Sequence, residues 1–290
     1  MHDSPLRDRT AVVTGAARGL GAALAEELAR RGARLALLGH EGARLEALAG
    51  SLPTAAMVLE VDVTDAAALR EAAGQVRAGL GRPSVVVANA GIAEGGPFAT
   101  ADLARWRRVI DVNLAGSAFT AHVFLPDLTH TRGYYLQIAS PASIGAAPRM
   151  SAYCASKAGV EAFAHALRAE TAPDGMAVGT AYLDWIDTDM IRDAERNPVL
   201  RELRAQMPPP ARRVSPAPAA AARLARAVER RSTAVHFPAW LRLAQGARTA
   251  LPPLVLRRSR LASRRHAGDA FPATGLLGAG GAADRAATTG

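Results

Sequence analysis

Lysine is almost absent from this chain. Of 290 residues 35 are basic, and all but Lys157 of these are arginine. Cysteine is just as scarce. A single Cys154 excludes an internal disulfide, and with no histidine partner evident nearby it reads as a small packing residue rather than a nucleophile. No run of 18 apolar residues occurs and the N-terminus lacks a secretory apolar region, so no spanning helix is expected and a reducing cytoplasm is the default location. There is no internal repeat, and no metal is expected. The formal charge is +9, but a basic balance without a recognition motif does not point to nucleic acid.

A chain that uses arginine nearly everywhere has kept one ammonium, four residues after Tyr153 in Tyr153-Cys154-Ala155-Ser156-Lys157. Lysine is a compact, movable point charge whose pKa shifts readily, whereas arginine is a planar fork that stays charged. Positions i and i+4 of a helix share a face, so phenol and ammonium would point into the same space. A phenol titrates near ~10, and a nearby cation favours its anion. Such a pair suits general acid–base work near neutrality. By itself the spacing also fits an ordinary pair on a solvated helix face.

A second pattern lies near the start. Thr10-Ala11-Val12-Val13-Thr14 reads as a short buried strand, followed by Gly15-Ala16-Ala17-Arg18-Gly19-Leu20-Gly21 and then an amphipathic helix. Glycines permit a tight turn and close approach of backbone to a ligand, and the helix start offers free N–H groups to a pyrophosphate. The glycine spacing differs from the usual Gly-x-Gly-x-x-Gly fingerprint, so the strand before and the helix after carry the argument.

Strands are expected near 10–14, 34–38, 56–61, 84–88, 133–139, 176–183 and 233–237. Helices are expected near 19–31, 41–50, 65–79, 101–127, 151–172, 188–206 and 216–230. The strands are short, apolar and non-alternating, as when both sheet faces are covered. The alternation predicts an α/β fold, a doubly wound parallel sheet with right-handed crossovers. One domain suits this length. It is expected over residues 1–240, with 241–290 as a basic extension. Ligands in such sheets bind beyond the carboxyl ends of the strands, where the glycine turn, Asn89, Ser140 and the segment after Leu183 would lie.

Taken together and in order, these motifs resemble the short-chain dehydrogenase/reductase family. Thr14 to Gly21 match its cofactor turn. Asp62-Val63 match the acidic site near the adenine, Asn89-Ala90-Gly91 the motif closing the fourth strand, and Asn113 the helix asparagine. Ser140 stands thirteen residues before Tyr153, as the family's catalytic serine does. The resemblance runs from about residue 8 to about residue 190 and implies the strand order 3-2-1-4-5-6-7. It also implies a catalytic set of Asn113, Ser140, Tyr153 and Lys157. Tyr153 would be the general acid or base, and Lys157 would lower its pKa and bind the nicotinamide ribose. Ser140 would hold the substrate oxygen, and Asn113 would interrupt its helix and position a relay water. Ser143, ten residues before Tyr153, is a weaker alternative to Ser140. The implied cofactor residues are Gly15, Arg18, Gly19, Leu20, Gly21, His40, Asp62, Val63, Asn89, Gly91 and Thr188, with Tyr153 and Lys157. One departure stands out: Leu183-Asp184 occupies the place of the family's Pro-Gly after the sixth strand, and Asp184 could face the substrate or simply cap the loop.

NADP(H) is favoured over NAD(H). By resemblance Gly39 takes the place of the NAD-selecting aspartate, followed by His40, while Arg18 matches a basic residue of NADP-using relatives. A 2′-phosphate needs cations without a carboxylate beside them, and Glu41 is the counter-signal, unless it serves the first turn of the next helix. Candidate substrate walls, 92–98, 141–150 and 184–207, are mainly apolar. They include Glu94, Arg149, Met150 and Trp185, and suit a lipophilic ketone or secondary alcohol. The alternatives are an NAD-dependent alcohol dehydrogenase and a non-catalytic NADP(H)-binding sensor. A homodimer or homotetramer is expected. Residues 241–290 carry eight arginines and two acids and are expected to form an oligomer arm, a membrane-surface helix making peripheral contact, or a solvated tail. Beyond about Gly268 disorder is expected.

Overall fold

The structure, a computed structural model, describes residues 4–197, 201, 204, 205, 207, 209–257 and 273–289. Seven strands form one sheet in the order β3-β2-β1-β4-β5-β6-β7, every adjacent pair parallel. The strands are β1 Thr10–Thr14, β2 Arg34–Gly39, β3 Ala56–Glu60, β4 Pro83–Ala88, β5 Tyr134–Ala139, β6 Ala177–Leu183 and β7 Ala234–Phe237. All lie within about two residues of their sequence positions.

Side chains alternate between two cores. Ala11 and Val13 of β1, with Leu35 and Leu37 of β2, face α1 (Gly19–Arg30), α2 (Gly42–Ser51) and α8 (Ala217–Glu229). Val12, Ala36 and Leu38 face the other layer, α3 (Ala66–Leu80), α5 (Gly116–His130) and α6 (Ser151–Thr171). Successive strand residues point to opposite faces, so a strand covered on both sides must be apolar throughout. Asp65 caps α3 by accepting from the amides of Ala67 and Ala68, filling donors that a helix start leaves open.

The amino ends of the strands are stitched by arginine. Arg168 donates to the carbonyls of Val178 at 2.7 Å and Thr233 at 2.7 Å. Arg231 donates to those of Gly133 and Gly175, at 3.0 and 2.7 Å. A guanidinium with five N–H donors can bridge two backbone acceptors at once.

Three expectations need correction. The helix read over 101–127 is broken into α4 (Leu103–Ile110), a π-helical turn Asp111–Ala115 and α5; a π-turn inserts one extra residue and marks a functional position more often than chance. This stretch is long and apolar enough to span a membrane by composition, yet half of that window is buried in the protein. The helix read over 188–206 is observed as α7, Asp189–Arg196, and several of its later residues lie outside the described ones. The disorder expected beyond Gly268 is replaced by a helix, Gly278–Thr289. Its glycines weaken it in isolation, and tertiary contacts at the site supply what propensity lacks. Residues 258–272 of the expected extension lie outside the described residues.

Gly179 in the middle of β6 is a steric fixed point. A Cβ there would lie 2.0 Å from the Tyr134 hydroxyl oxygen and 2.4 Å from the Ser232 carbonyl, and that hydroxyl donates to that carbonyl at 2.6 Å. Gly179→Ala is therefore expected to cost about 1–3 kcal/mol through overpacking, read as a lower urea midpoint. An unchanged midpoint would mean that β6 and β7 separate at little cost.

Candidate active site

The sheet order reverses between β1 and β4, and at that switch point the strand ends part to leave a cleft. Thr14, the last residue of β1, locks the parting: its hydroxyl oxygen accepts from the amides of Asn89 and Ala90, both at 3.0 Å. Asn89 Nδ2 donates back to the carbonyls of Thr14 at 2.9 Å and Gly15 at 3.1 Å. Gly15 has φ +62° and a Cβ there would meet Ala90 Cα at 2.9 Å; a Cβ at Gly21 would meet the Gly15 carbonyl at 2.2 Å. The turn thus brings bare backbone to the cleft at the start of α1, where the N-cap residue Arg18 gives no side-chain cap to the first-turn amides.

The cleft is lined by Gly15, Arg18, Gly19, Leu20, Gly21, His40, Val63, Asn89, Gly91, Tyr153, Lys157 and Thr188, all expected from the sequence. Asp62, Asn113 and Ser140 adjoin the cleft through their partners and are not among its lining residues. The Asp62 carboxylate accepts from the Thr64 amide at 2.8 Å and from Arg108 at 2.7 Å. Burial works against its charge, but these partners outweigh burial and hold its pKa below the ordinary value.

The catalytic candidates converge from three elements. Tyr153 and Lys157 come from one face of α6, and the ammonium lies 5.7 Å from the phenol ring centroid. Lys157 Nζ donates to the Ile138 carbonyl at 3.1 Å. Its burial drives the pKa down to about 8. The Tyr153 phenol is pushed above its ordinary value by burial, against which a hydrogen bond with the Ser140 side chain pulls it down. The expected lowering of the tyrosine pKa by Lys157 is thus not seen: the phenol stays above its ordinary value, and it is Ser140 that opposes the rise. Asn113 sits in the π-turn, so the expected interruption of the helix is present. Its Oδ1 accepts from the Ile92 amide at 2.8 Å, and Nδ2 donates to the Ile92 carbonyl and Ser156 Oγ, both at 2.9 Å. Ser156 in turn donates to the Tyr153 carbonyl at 2.8 Å. Ser143 is spent on the Ser140 carbonyl at 2.8 Å, which leaves Ser140 as the better candidate.

The cations meant for a 2′-phosphate are differently engaged. Arg18 is held by Glu41 and Asp189: Nε donates to Glu41 Oε2 at 2.6 Å and Nη1 to Asp189 Oδ2 at 2.9 Å, with a further bond between Nη2 and Glu41 Oε1. The bond to Glu41 is the largest cause of its raised pKa. Glu41 is the N-cap residue of α2 without capping through its side chain, so the carboxylate is free to serve Arg18. His40 Nε2 lies 3.8 Å from Asp284 Oδ1.

Of the proposed specificity residues, Trp185 donates to the Ala211 carbonyl at 2.9 Å and packs against Arg204. Met150 packs beside Tyr153 with Ala93 and Leu277. Glu94 is buried, 3.2 Å from Arg105, and burial raises its pKa. Arg149 has φ +68°.

A family model described as short chain dehydrogenase matches residues 9–198. The chain belongs to the short-chain dehydrogenase family. It is similar to the D-threitol dehydrogenase of Mycolicibacterium smegmatis, 35% identical over 182 residues, 61% of this chain and 70% of that protein. It is also similar to the meso-2,3-butanediol dehydrogenase of Serratia marcescens, 29% identical over 184 residues, 63% of this chain and 73% of that one. Among solved structures, a metagenomic short-chain oxidoreductase in complex with NADP is 31% identical with a TM-score of 0.59, covering 61% of this chain and 82% of that one. This short-chain dehydrogenase is thus an oxidoreductase of the nicotinamide-cofactor class.

Sequence reasoning missed the part of the cleft built by the C-terminal segment: Leu277, Gly280, Ala283 and Asp284 also line it. Asp284 is 2% exposed and accepts from Arg108 at 2.7 Å. A lone acid in a Gly/Ala-rich stretch carries no periodic signal. Gln137, outside the cleft, is a buried polar residue of β5 that the sequence reading also passed over; its Nε2 donates to Ser117 Oγ at 3.1 Å. Only a polar residue interrupting an apolar strand hinted at it.

Asp184 does line the cleft, and its Oδ2 is closed off from solvent without a hydrogen-bond partner. Burial pushes its pKa up to about 7, against a bond from the Trp185 amide. An unfolded aspartate ionises near ~4. Between these values the unfolded chain has lost the proton while the folded one keeps it, so stability falls as pH rises through that window and levels off above it. The Asp184→Asn variant should gain on the parent by up to ~1.4 kcal/mol per pH unit between about pH 4 and pH 7, and by no more beyond. Urea titrations at four pH values check this, and a constant difference would mean that the carboxyl is ionised throughout.

Proposed function

We propose that the chain is an NADP(H)-dependent carbonyl reductase or alcohol dehydrogenase, with Tyr153 as general acid–base. The observation that carries the reading is the placing of Tyr153 and Lys157 together in a cleft whose other end is the glycine turn. The residues fit a dinucleotide: bare backbone at Gly15 and Gly21 gives close approach to a pyrophosphate, and the uncapped start of α1 provides its amides. Gly91, Lys157 and Thr188 would hold the ribose and amide at the other end. When bound, the nicotinamide supplies or takes up the hydride. Tyr153 donates its proton to the carbonyl oxygen in reduction and removes the hydroxyl proton in oxidation. Ser140 steadies the phenol and the substrate oxygen within reach of it. Lys157, buried beside the phenol, favours the phenolate once the proton has left.

The substrate is an alcohol or ketone whose body meets apolar walls such as Ile92, Leu183 and Met190. Asp184 supports a second reading, a substrate with another hydroxyl near the reacting carbon, since its carboxyl is a hydrogen-bonding group at that end of the cleft. The relatives named for D-threitol and 2,3-butanediol agree with it.

Tyr153→Phe removes only the transferable proton. Turnover with a panel of ketones and diols should drop by about 10²–10⁴-fold, while NADPH affinity by fluorescence titration stays close to that of the parent. A phenylalanine variant that keeps most of its rate would sink the mechanism.

Cofactor choice has its own test. A 2′-phosphate would compete with Glu41 and Asp189 for Arg18. The double variant Arg18→Ala with His40→Ala should weaken NADPH by about tenfold or more per lost charge-assisted bond, and NADH much less. Equal losses would mean that neither Arg18 nor His40 reads the 2′-phosphate.

A further inference from the structure

The C-terminal segment runs along the cleft from its catalytic end to its far end. Leu277 packs with Met150, Met190 and Tyr153, and its amide donates to the Ala93 carbonyl at 2.8 Å. Seven residues later Asp284 accepts from Arg108, which also binds Asp62, and lies 3.8 Å from His40. At ~1.5 Å per helical residue this spans about 10 Å. The end of β2 and the segment after β3 are where a doubly wound sheet receives the adenosine of a dinucleotide, so Asp284 stands at the adenosine end. The segment is fastened at several points. Thr274 and Gly95 exchange two hydrogen bonds, of 2.8 and 2.9 Å, and the Gly278 amide donates to Asp193 at 2.9 Å.

We propose that the helix Gly278–Thr289 is part of the dinucleotide site: a roof over the adenosine half, latched by the Asp284–Arg108 ion pair. This rests on the nicotinamide-dinucleotide reading given above. Three observations favour a roof over a plug that competes with the cofactor. Apart from Asp284, which is turned onto Arg108, the residues of the helix that line the cleft are small, Gly280 and Ala283, so the space beneath stays open. A Cβ built at Gly280 meets nothing within 4 Å. The Asp284 carboxylate is turned onto the Arg108 guanidinium, which it shares with Asp62, rather than standing bare toward the space beneath.

The test uses the full chain and two variants. Gly280→Phe fills the open space. Phenylalanine also forms helix better than glycine, so weaker binding would not come from a melted helix. Asp284→Asn keeps the shape and loses the latch. NADPH and NADH affinities are measured by fluorescence titration, release rates by stopped flow, and folding by thermal melts. The expected result is a dissociation constant raised about tenfold or more in Gly280→Phe. In Asp284→Asn release should be about tenfold faster, as when one charge-assisted bond is lost, with melting of both variants close to the parent. Tighter binding in Asp284→Asn would overturn the proposal in favour of a competing plug. Unchanged binding in both variants would overturn it in favour of mere packing. A parent that binds neither nucleotide would instead remove the cofactor reading itself, a failure seen before either variant is compared.

Discussion

The catalytic end of the cleft is organised around a buried ammonium. Lys157 is 5% exposed, and an isolated charge in such a place is costly unless something holds it. The Ile138 carbonyl at the end of β5 is its hydrogen-bond acceptor, so the charge depends on where that strand stops. Neighbouring parts keep out of its way or brace it. Gly91 carries no side chain where a Cβ would come within 3.7 Å of the ammonium and 3.2 Å of Asn113 Oδ1. Asn113, released from regular helix by the π-turn, turns its side chain onto the Ile92 backbone and Ser156 instead of toward the charge. A broad, permanently charged guanidinium could neither shed its proton nor fit between the phenol and that carbonyl. The scarcity of lysine elsewhere makes the choice at this position plain.

Arginine does a different task. Arg18 with Glu41, Arg31 with Glu229, Arg77 and Arg82 with Asp127, and Arg108 with Asp62 and Asp284 join separate elements. In several of these the carboxylate is the buried member, with Asp127 1% exposed. A buried carboxylate must be paired, and a fork of donors can serve one from the surface while its stem covers apolar area.

The strands and the glycine turn were legible because they follow from local chemistry. A strand covered on both faces must be apolar throughout, and a turn that bare backbone must enter must be glycine. The order of strands and the roles of Ser140 and Asn113 came through family resemblance, since nothing in their own neighbourhoods announces them. The Gly/Ala-rich C-terminal segment read as disorder, because its helix depends on one acid meeting Arg108, a residue 176 positions away. The pairing of Arg18 was half legible. Glu41 stood out as a carboxylate near the expected phosphate position, but Asp189 closes on Arg18 from the far side of the chain, across 171 positions. Contacts of that span have no local signature.

The arginine stitches at the amino ends of the strands have a consequence for how the protein tolerates change. Arg168 and Arg231 tie β5, β6 and β7 together by their backbone at the edge away from the cleft, while all the chemistry lies at the carboxyl ends. Strands are rigid in length, so the two edges are held apart by the full depth of the sheet, at ~3.3 Å per residue. Changes made at the two edges share no partner and should add independently. The fold can thus lose or gain firmness at its base while its pocket is re-cut for another alcohol. That separation lets a single scaffold drift between substrates without first having to be rebuilt.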